Sequence, residues 1–167
     1  MVRAIVAVDK NWAIGKDNKL LISIPEDMRF FKDTTSGNVV IMGRKTLESF
    51  PQGKPLPNRV NIVITRDPNY SRTDVIVARS PEEAIKLAGE YKKDIYIIGG
   101  GSIYEALINY CDEALVTYIK YSYDADTFFP NLDKKPEWVL VGESEEQTHY
   151  DIIYFFRKYQ RRVDYRP

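Results

Sequence analysis

The chain has 167 residues, and its 24 Lys and Arg balance its 24 Asp and Glu, so the formal net charge is zero. A chain of this length can bury an independent hydrophobic core, and we expect one domain over residues 1–167. The balanced charge lacks the basic excess that favours binding to nucleic acids or anionic membranes, so we expect neither partner. The longest apolar run near the start, residues 4–8, is shorter than a secretory segment of about 7–15 residues or a bilayer span of about 20 residues. These limits predict a cytoplasmic protein.

Cysteine and histidine each occur once, as Cys111 and His149. A lone cysteine excludes an intramolecular disulfide, and a lone histidine excludes the usual zinc sites, so we expect no bound metal. Catalysis by a serine or cysteine nucleophile would depend on His149. Its neighbours Thr148, Tyr150 and Asp151 are typical of a strand or loop edge, which favours a structural or solvent-exposed role.

Apolar, β-branched runs without polar alternation predict buried strands of a largely parallel sheet. These runs cover residues 4–8, 39–42, 60–65 and 95–98. Residues 9–24, which include Gly15 and the turn-prone Lys16-Asp17-Asn18, predict a long mobile loop. A loop of this length inside a compact domain is often a functional lid.

Helix starts can be identified between these runs. Pro25 suits the first position of a helix, and the spacing of three and four residues places Asp27, Met28 and Phe31 on one helical face. Ser80-Pro81-Glu82-Glu83 predicts a helix with a Ser cap, and Ser102-Ile103-Tyr104-Glu105 repeats this capping-box pattern.

The last third of the chain favours strands again. Residues 115–119 predict one strand, and residues 150–159 predict a long strand with interspersed polar residues, which is typical of an antiparallel edge. Alternation of strands and helices favours an α/β fold. We expect a central, mostly parallel twisted sheet with an antiparallel C-terminal edge, flanked by about four helices.

Two predicted strands end in glycine turns that open helices, Gly43-Arg44-Lys45-Thr46 and Gly99-Gly100-Gly101-Ser102. Glycine lets the backbone approach a ligand, and the free N–H groups of a first helical turn attract phosphate. Neither turn matches a Rossmann fingerprint, since Tyr104 occupies the third glycine position, and no Walker A motif is present. Each turn alone is most simply a tight connection. With Arg66 and Arg79 at the ends of other predicted strands, the set favours an anionic cofactor.

Asp27 lies among apolar residues, namely Ile24, Met28, Phe30 and Phe31. As a first-turn carboxylate it could simply stabilise the helix dipole, by about 0.3–1 kcal/mol. Alternatively, it could bind and protonate a nitrogenous ring. Burial would raise the pKa of Asp27 and the helix N-terminus would lower it, so both interpretations stay open.

Six motifs occur in order along the chain: Ala13-Ile14-Gly15; Ile24-Pro25-Glu26-Asp27-Met28 with Phe31; Met42-Gly43-Arg44-Lys45-Thr46-Leu47-Glu48-Ser49; Pro55-Leu56-Pro57-Asn58-Arg59; Ile98-Gly99-Gly100-Gly101-Ser102-Ile103-Tyr104; and Asp126-Thr127-Phe128-Phe129-Pro130. Each motif is weak alone, but the ordered set is highly specific. By these six ordered motifs, the chain resembles the dihydrofolate reductase family over essentially its whole length.

The resemblance implies an oxidoreductase of one-carbon metabolism that makes tetrahydrofolate. It would reduce 7,8-dihydrofolate by hydride transfer from NADPH to pterin C6, with protonation at N5. Asp27 would be the catalytic residue, binding the 2-amino group and N3 of the pterin and supporting N5 protonation through water. Antifolate inhibitors are expected as ligands, and a monomer is the family's common form.

The resemblance also implies a substrate site. Ile5, Val6 and Ala7 would line the pterin pocket, while Arg59 would pair with the α-carboxylate of the glutamate tail, a role suited to a two-pronged donor. Thr117 matches the residue that hydrogen-bonds the catalytic carboxylate. The full substrate-binding set is Ile5, Val6, Ala7, Asp27, Met28, Phe31, Phe50, Leu56, Arg59, Ile98, Tyr104 and Thr117.

On the cofactor side, the resemblance implies that both glycine turns hold the diphosphate. Thr65, Arg66 and Arg79 match positions around the 2′-phosphate, which favours NADPH over NADH. The full cofactor-binding set is Ala7, Ala13, Ile14, Leu20, Gly43, Arg44, Lys45, Thr46, Ile64, Thr65, Arg66, Arg79, Ile98, Gly100, Gly101, Ser102, Ile103 and Tyr104.

The chain departs from many bacterial members at Leu21-Ile22, where those members have Pro-Trp, so it lacks an indole that orders water near the carboxylate. Ser23 is also shorter than the Asn of some relatives. Two alternatives are the pyrimidine reductase of riboflavin synthesis, which shares the cofactor glycines, and a non-catalytic nucleotide-binding module. The first predicts neither the Asp27 helix nor the motif that ends at Arg59.

Overall fold

The computed structural model describes residues 1–163. Its strands are β1 (Val2–Val8), β2 (Ala13–Lys16), β3 (Lys19–Leu20), β4 (Val39–Gly43), β5 (Val60–Ile64), β6 (Ile76–Ala78), β7 (Ile95–Gly99), β8 (Glu113–Ile119), β9 (Thr127–Phe128), β10 (Trp138–Glu143), β11 (Gln147–His149) and β12 (Ile152–Arg161). Its α-helices are α1 (Pro25–Thr35), α2 (Arg44–Glu48), α3 (Pro81–Gly89) and α4 (Gly101–Leu107). Short 3₁₀ turns cover Pro51–Gly53, Ile108–Tyr110 and Leu132–Lys134.

Within residues 1–163, nine strands form one sheet in the order β10-β12-β8-β1-β7-β4-β5-β6, with β11 paired to β12. The strands from β8 to β6 in this order are parallel. Helices cover both faces of a parallel sheet, so its strands have no solvent-facing side that would need polar residues. Strand β4 is an example, because all its residues from 39 to 42 are fully buried. The four predicted apolar strands are confirmed, with ends that shift by one or two residues.

The C-terminal strand closes one side of the sheet. Strand β12 runs antiparallel to β8 and pairs Phe156 with Thr117 and Tyr154 with Ile119. Strand β10 then runs antiparallel to β12 at the edge. The prediction of a mostly parallel sheet with an antiparallel C-terminal edge and four flanking helices is therefore confirmed.

The helices cover both faces of the sheet. On one face α3 and α4 bury residues such as Ala84 and Leu107 against β1, β4 and β5. On the other, α1 and α2 pack Phe31 and Leu47 against Val40 and neighbouring strands. Among residues 1–163, none of the helices is long and apolar enough to cross a membrane.

The two predicted serine caps have different outcomes. Ser80 caps α3, since its side chain accepts a hydrogen bond from the N–H of Glu83 at 3.1 Å, as a capping box requires. The predicted cap at Ser102 is wrong, because α4 begins at Gly101 and its N-cap residue is Gly100, which makes no side-chain cap. Ser102 is inside the first turn, where its hydroxyl cannot act as the cap.

The prediction that residues 9–24 form a loop is wrong for half of that segment. Strands β2 and β3 pair as a hairpin, and β2 also pairs with the distant β9. The fully buried Asp9 fixes the base of this segment. Its carboxylate accepts hydrogen bonds from the backbone N–H groups of Asn11, Ala13 and Tyr123 at 2.8–3.0 Å. These bonds join the segment before β2 to the segment between β8 and β9.

Candidate active site

Helix α1 places Asp27 against the sheet. The helix starts at Pro25, whose missing N–H is not needed in a first turn, so Asp27 is its third residue. The hydroxyl of Thr117, in the middle of β8, donates to Asp27 Oδ1 at 2.6 Å. Thr117 is only 2% exposed, so this contact holds the carboxyl group at a well-shielded position on the sheet.

Burial dominates the electrostatics of Asp27. Removal from water raises the pKa of this carboxyl group above its usual value, and the hydrogen bond from Thr117 opposes that rise only in part. None of the ion pairs among residues 1–163 includes Asp27. A carboxyl group in this setting takes up a proton more readily than an exposed aspartate does, which suits it to proton transfer.

An apolar cluster lies on the same face of the sheet as Asp27. Phe31 follows Asp27 by one helical turn and packs in one cluster with Ile5 from β1. The partly buried side chains of Phe50, Leu56 and Ile98 join them. Because these side chains are only partly buried, they leave apolar surface that can contact an aromatic ligand.

Strand β1 divides its predicted site residues between the two faces of the sheet. Ile5 and Ala7 lie on the face of α1, in clusters with Phe31 and Ile24. Val6 packs into the cluster on the opposite face, because successive side chains of a strand alternate. The Val6 side chain therefore lies away from α1, and the place of Val6 in the pterin pocket stays a prediction.

Arg59 is a half-buried cation that is held by neutral groups. Its guanidinium donates to the carbonyl oxygen of Pro57 at 2.8 Å and to the hydroxyl of Thr35 at 3.1 Å. Burial lowers the pKa of Arg59, and no ion pair among residues 1–163 neutralises it. A guanidinium oriented in this way is suited to bind an external carboxylate.

The two glycine turns lie beside each other at the carboxyl edge of the sheet, because β4 and β7 are neighbours. A Cβ atom added to Gly43 would lie 4.0 Å from the backbone nitrogen of Gly100, and one added to Gly99 or Gly100 would lie about 3.5 Å from Thr46 Oγ1. Helices α2 and α4 both start here without side-chain caps. Paired backbone turns with uncapped N–H groups fit a diphosphate.

Cationic side chains surround this edge. Arg44 pairs with Glu48 on the next helical turn, while Lys45 and Arg66 have exposed side chains. The guanidinium of Arg79 donates to the carbonyl oxygens of Asp67 and Tyr70. The carboxyl ends of adjacent parallel strands therefore carry several positive charges at one edge.

The remaining predicted cofactor residues lie along the same edge or on the β2–β3 hairpin. Ala13 and Ile14 are buried in β2, whereas Leu20 at the end of β3 is 66% exposed. Tyr104 is buried in α4, and its hydroxyl donates to the carbonyl oxygen of Ile5 at 2.7 Å. Ile64 and Thr65 are buried at the end of β5.

Comparisons with known proteins agree with this geometry. The family model described as dihydrofolate reductase matches residues 1–161. The chain belongs to the dihydrofolate reductase family. It is 40% identical over 163 residues to a dihydrofolate reductase of Staphylococcus haemolyticus, covering 96% of this chain and 95% of that protein. It is 37% identical over 166 residues to one of Bacillus subtilis, covering 97% and 95%.

A solved structure of similar shape is the dihydrofolate reductase of Enterococcus faecalis, complexed with NADP(H) and RAB-propyl. The two structures superpose with a TM-score of 0.87 and 35% sequence identity over 96% of each chain. The resemblance drawn from the motifs is thus confirmed. Neither a pyrimidine reductase nor a non-catalytic nucleotide-binding module is favoured.

Two polar residues beside the predicted site were not found from the sequence. Thr35 is fully buried at the end of α1 and orients Arg59. Asn61 interrupts the apolar run of β5, and its amide bonds both backbone groups of Leu56 and the carbonyl oxygen of Arg59. A buried polar residue within an apolar strand was the available signal for Asn61, since such a residue needs hydrogen-bond partners.

The raised pKa of Asp27 predicts how Asp27→Asn changes stability with pH. Below the pKa of about 3.9 for an unfolded aspartate, both side chains are neutral, and we expect equal stability. As pH rises through the higher folded pKa, the wild-type protein must ionise a desolvated carboxyl group and loses stability, whereas the Asn variant does not. We therefore expect the variant to be the more stable protein at neutral pH, as measured by urea unfolding at a series of pH values.

Asp33→Asn on the exposed face of α1 is the matched control. It should change the free energy of unfolding little at any pH in the series. A variant that is less stable than wild type at neutral pH would contradict the assignment of desolvation as the dominant effect on Asp27.

Proposed function

We propose that this enzyme reduces 7,8-dihydrofolate to 5,6,7,8-tetrahydrofolate, with Asp27 as the proton-handling residue. The observation that carries the proposal is the desolvated carboxyl group of Asp27, held by Thr117 beside an apolar surface. Membership of the dihydrofolate reductase family supplies the reaction. NADPH, when bound along the carboxyl edge of the sheet, would supply a hydride for C6 of the pterin.

Asp27 and Thr117 together would orient the pterin. With one oxygen of Asp27 accepting from the Thr117 hydroxyl, the other oxygen would accept from the 2-amino group and N3 of the pterin. The raised pKa of Asp27 lets the site hold a proton near the ring, which supports protonation at N5 through water. Leu21 and Ile22 occupy the positions of the Pro-Trp found in many family members, so no indole takes part in this step.

The rest of the substrate would extend along the apolar cluster. Phe31, Phe50 and Leu56 would hold the ring system and the benzoyl group, and Met28, which is 47% exposed, would contribute from α1. Arg59 would bind the α-carboxylate of the glutamate tail. That role is supported by a guanidinium whose hydrogen-bond partners Pro57 and Thr35 are both neutral.

The cofactor would lie along the carboxyl edge of the sheet. The turns at Gly43 and Gly100 would hold the diphosphate with their backbone N–H groups, and Thr46, in the first turn, lies against Gly99 and Gly100 of the second. Arg66 and Arg79 would bind the 2′-phosphate. Ala13, Ile14 and Tyr104 would enclose the nicotinamide end, where burial excludes water.

Three further proposals concern the enzyme as a whole. We expect it to act as a monomer in the cytoplasm and to bind antifolate inhibitors at the substrate site. The relative from Enterococcus faecalis, complexed with NADP(H) and RAB-propyl, supports the last point.

Asp27→Asn should lower dihydrofolate reduction by about 10²–10⁴-fold at neutral pH, the usual scale for losing a general acid. The loss should shrink at low pH, where the substrate is already protonated. The measurement is dihydrofolate-dependent loss of NADPH absorbance, recorded across the pH range for the wild-type enzyme and the variant. The matched control is Asp33→Asn on the same helix, which should keep wild-type rates.

Wild-type enzyme that fails to oxidise NADPH when dihydrofolate is added would refute the proposed reaction. Equal rates for wild type and Asp27→Asn at all pH values would refute the role of Asp27 but not the proposed reaction.

Arg66→Ala should weaken NADPH binding by about 10–150-fold, because a hydrogen bond to a charged group contributes roughly 1.5–3 kcal/mol. NADH, which lacks the 2′-phosphate, should bind the variant and the wild-type enzyme almost equally. Fluorescence titration with both cofactors measures the difference. Arg72→Ala is the control, since Arg72 lies between the same two strands but is neutralised by Asp74. Equal losses for NADPH and NADH would contradict the assignment of Arg66 to the 2′-phosphate.

A further inference from the structure

A second carboxylate in the first turn of α1 is also held by a hydroxyl group from the sheet. Glu26 directly precedes Asp27, and the hydroxyl of Tyr154 donates to Glu26 Oε2 at 2.9 Å. The Tyr154 side chain is fully buried, whereas the Glu26 side chain is exposed. The phenol thus reaches from the interior of the sheet to the start of the helix.

The two hydroxyl donors come from neighbouring strands and from the same face of the sheet. Strand β12 pairs Phe156 with Thr117 of β8, and Tyr154 with Ile119. Thr117 and its cross-strand partner Phe156 lie on the same face of the sheet. Tyr154 is two residues from Phe156 on β12, so it lies on that face as well. Thr117 and Tyr154 therefore both point toward α1. Adjacent strands therefore hold adjacent carboxylates, Thr117 holding Asp27 and Tyr154 holding Glu26.

The start of α1 depends on these bonds because it has no side-chain cap. Its N-cap residue is Ile24, which has an extended backbone and provides no polar side chain. Ile24 instead packs against Ile119 and Tyr154. The first turn is therefore positioned by this apolar contact and by the two hydroxyl groups.

We propose that Tyr154 is a positioning residue for Asp27, which it acts on by holding Glu26 and thereby fixing the first turn of α1. The inference rests on the proposed role of Asp27 in the reaction. When Tyr154 releases Glu26, the first turn gains freedom and Asp27 meets the Thr117 hydroxyl for less of the time. Tyr154 itself touches neither substrate nor cofactor in this account.

The charged and titratable groups around Asp27 support this mode of action. Glu26 lies on the same helix, and the phenols of Tyr154 on β12 and Tyr104 on α4 interact with the Asp27 charge. Burial, together with the bond to Glu26, raises the pKa of Tyr154 to about 12. The phenol therefore stays a neutral donor over the whole pH range in which a carboxyl group titrates.

Tyr154→Phe keeps the buried ring and removes only the hydroxyl group. We expect the maximal rate of dihydrofolate reduction to fall by about 3–10-fold, because the reacting groups are less well positioned. The midpoint of the pH–rate profile should rise by about 0.5 pH unit, because the Thr117 bond that favours ionised Asp27 is made less often. The KM for NADPH should not change.

Tyr159→Phe is the matched control. Tyr159 lies on the same strand, is 1% exposed, and donates its hydroxyl to the carboxylate of Asp133 at 2.8 Å. The Tyr159→Phe variant loses a comparable hydrogen bond at a site far along the strand from α1. We therefore expect it to lose a similar amount of stability but to keep the wild-type pH–rate profile. A wild-type profile in Tyr154→Phe, or the same shift in both variants, would overturn the proposal.

A second pair of variants tests the same contact from the exposed side, where folding is not at risk. Glu26→Gln and Glu26→Ala both remove the charge, but only Gln keeps an oxygen that can accept from Tyr154. We expect a higher midpoint and a lower maximal rate for Glu26→Ala than for Glu26→Gln. Identical profiles for the two would contradict the inference while leaving the proposed reaction intact, since that reaction is tested by the wild-type activity itself.

Discussion

The hydrogen bond from Thr117 to Asp27 is the contact on which the arrangement of the site depends. It joins helix α1 to β8, the strand at which the parallel part of the sheet meets its antiparallel edge, and fixes a carboxyl group that would otherwise be free to turn toward solvent. Desolvation makes the ionised carboxylate costly, and the single neutral donor offsets only part of that cost. The fold accepts this local loss of stability at the residue that we propose carries a proton in the reaction.

The sheet provides the rest of the site by bringing distant segments to one edge. Strands β4 and β7 are 56 residues apart at their first residues, Val39 and Ile95, yet they are neighbours in the sheet. Their glycine turns therefore face one another with uncapped helix starts on both sides. The zero net charge of the chain conceals a local excess of cations at this edge, whereas Arg59 is held apart from it by Pro57 and Thr35. In the proposed function, the placement of these few charges, and not their sum, distinguishes the cofactor end of the site from the substrate end.

The sequence predicted correctly those features of the fold that arise from interactions between residues close together in the chain. The Ser80 cap and the shared face of Asp27 and Phe31 follow from spacing alone, and so do the buried apolar strands. The cap predicted at Ser102 was wrong because the glycine turn starts the helix earlier than the capping box implies. The pairing of β2 with β9 was missed because the two strands lie more than 100 residues apart in the chain. The contacts of Tyr154 likewise depend on strand register, which a single sequence does not specify.

The protonation behaviour of Asp27 is measured most directly by a carbon-13 NMR titration of its carboxyl group in the full-length protein, with the signal assigned by comparison with Asp27→Asn. We expect this carboxyl group to titrate at higher pH than the exposed aspartates of the same chain, because it is desolvated and receives a single hydrogen bond from a neutral donor. A titration midpoint at or below those of the exposed aspartates would contradict it, since Asp27 would then be stabilised as the anion and poorly suited to hold a proton for the pterin.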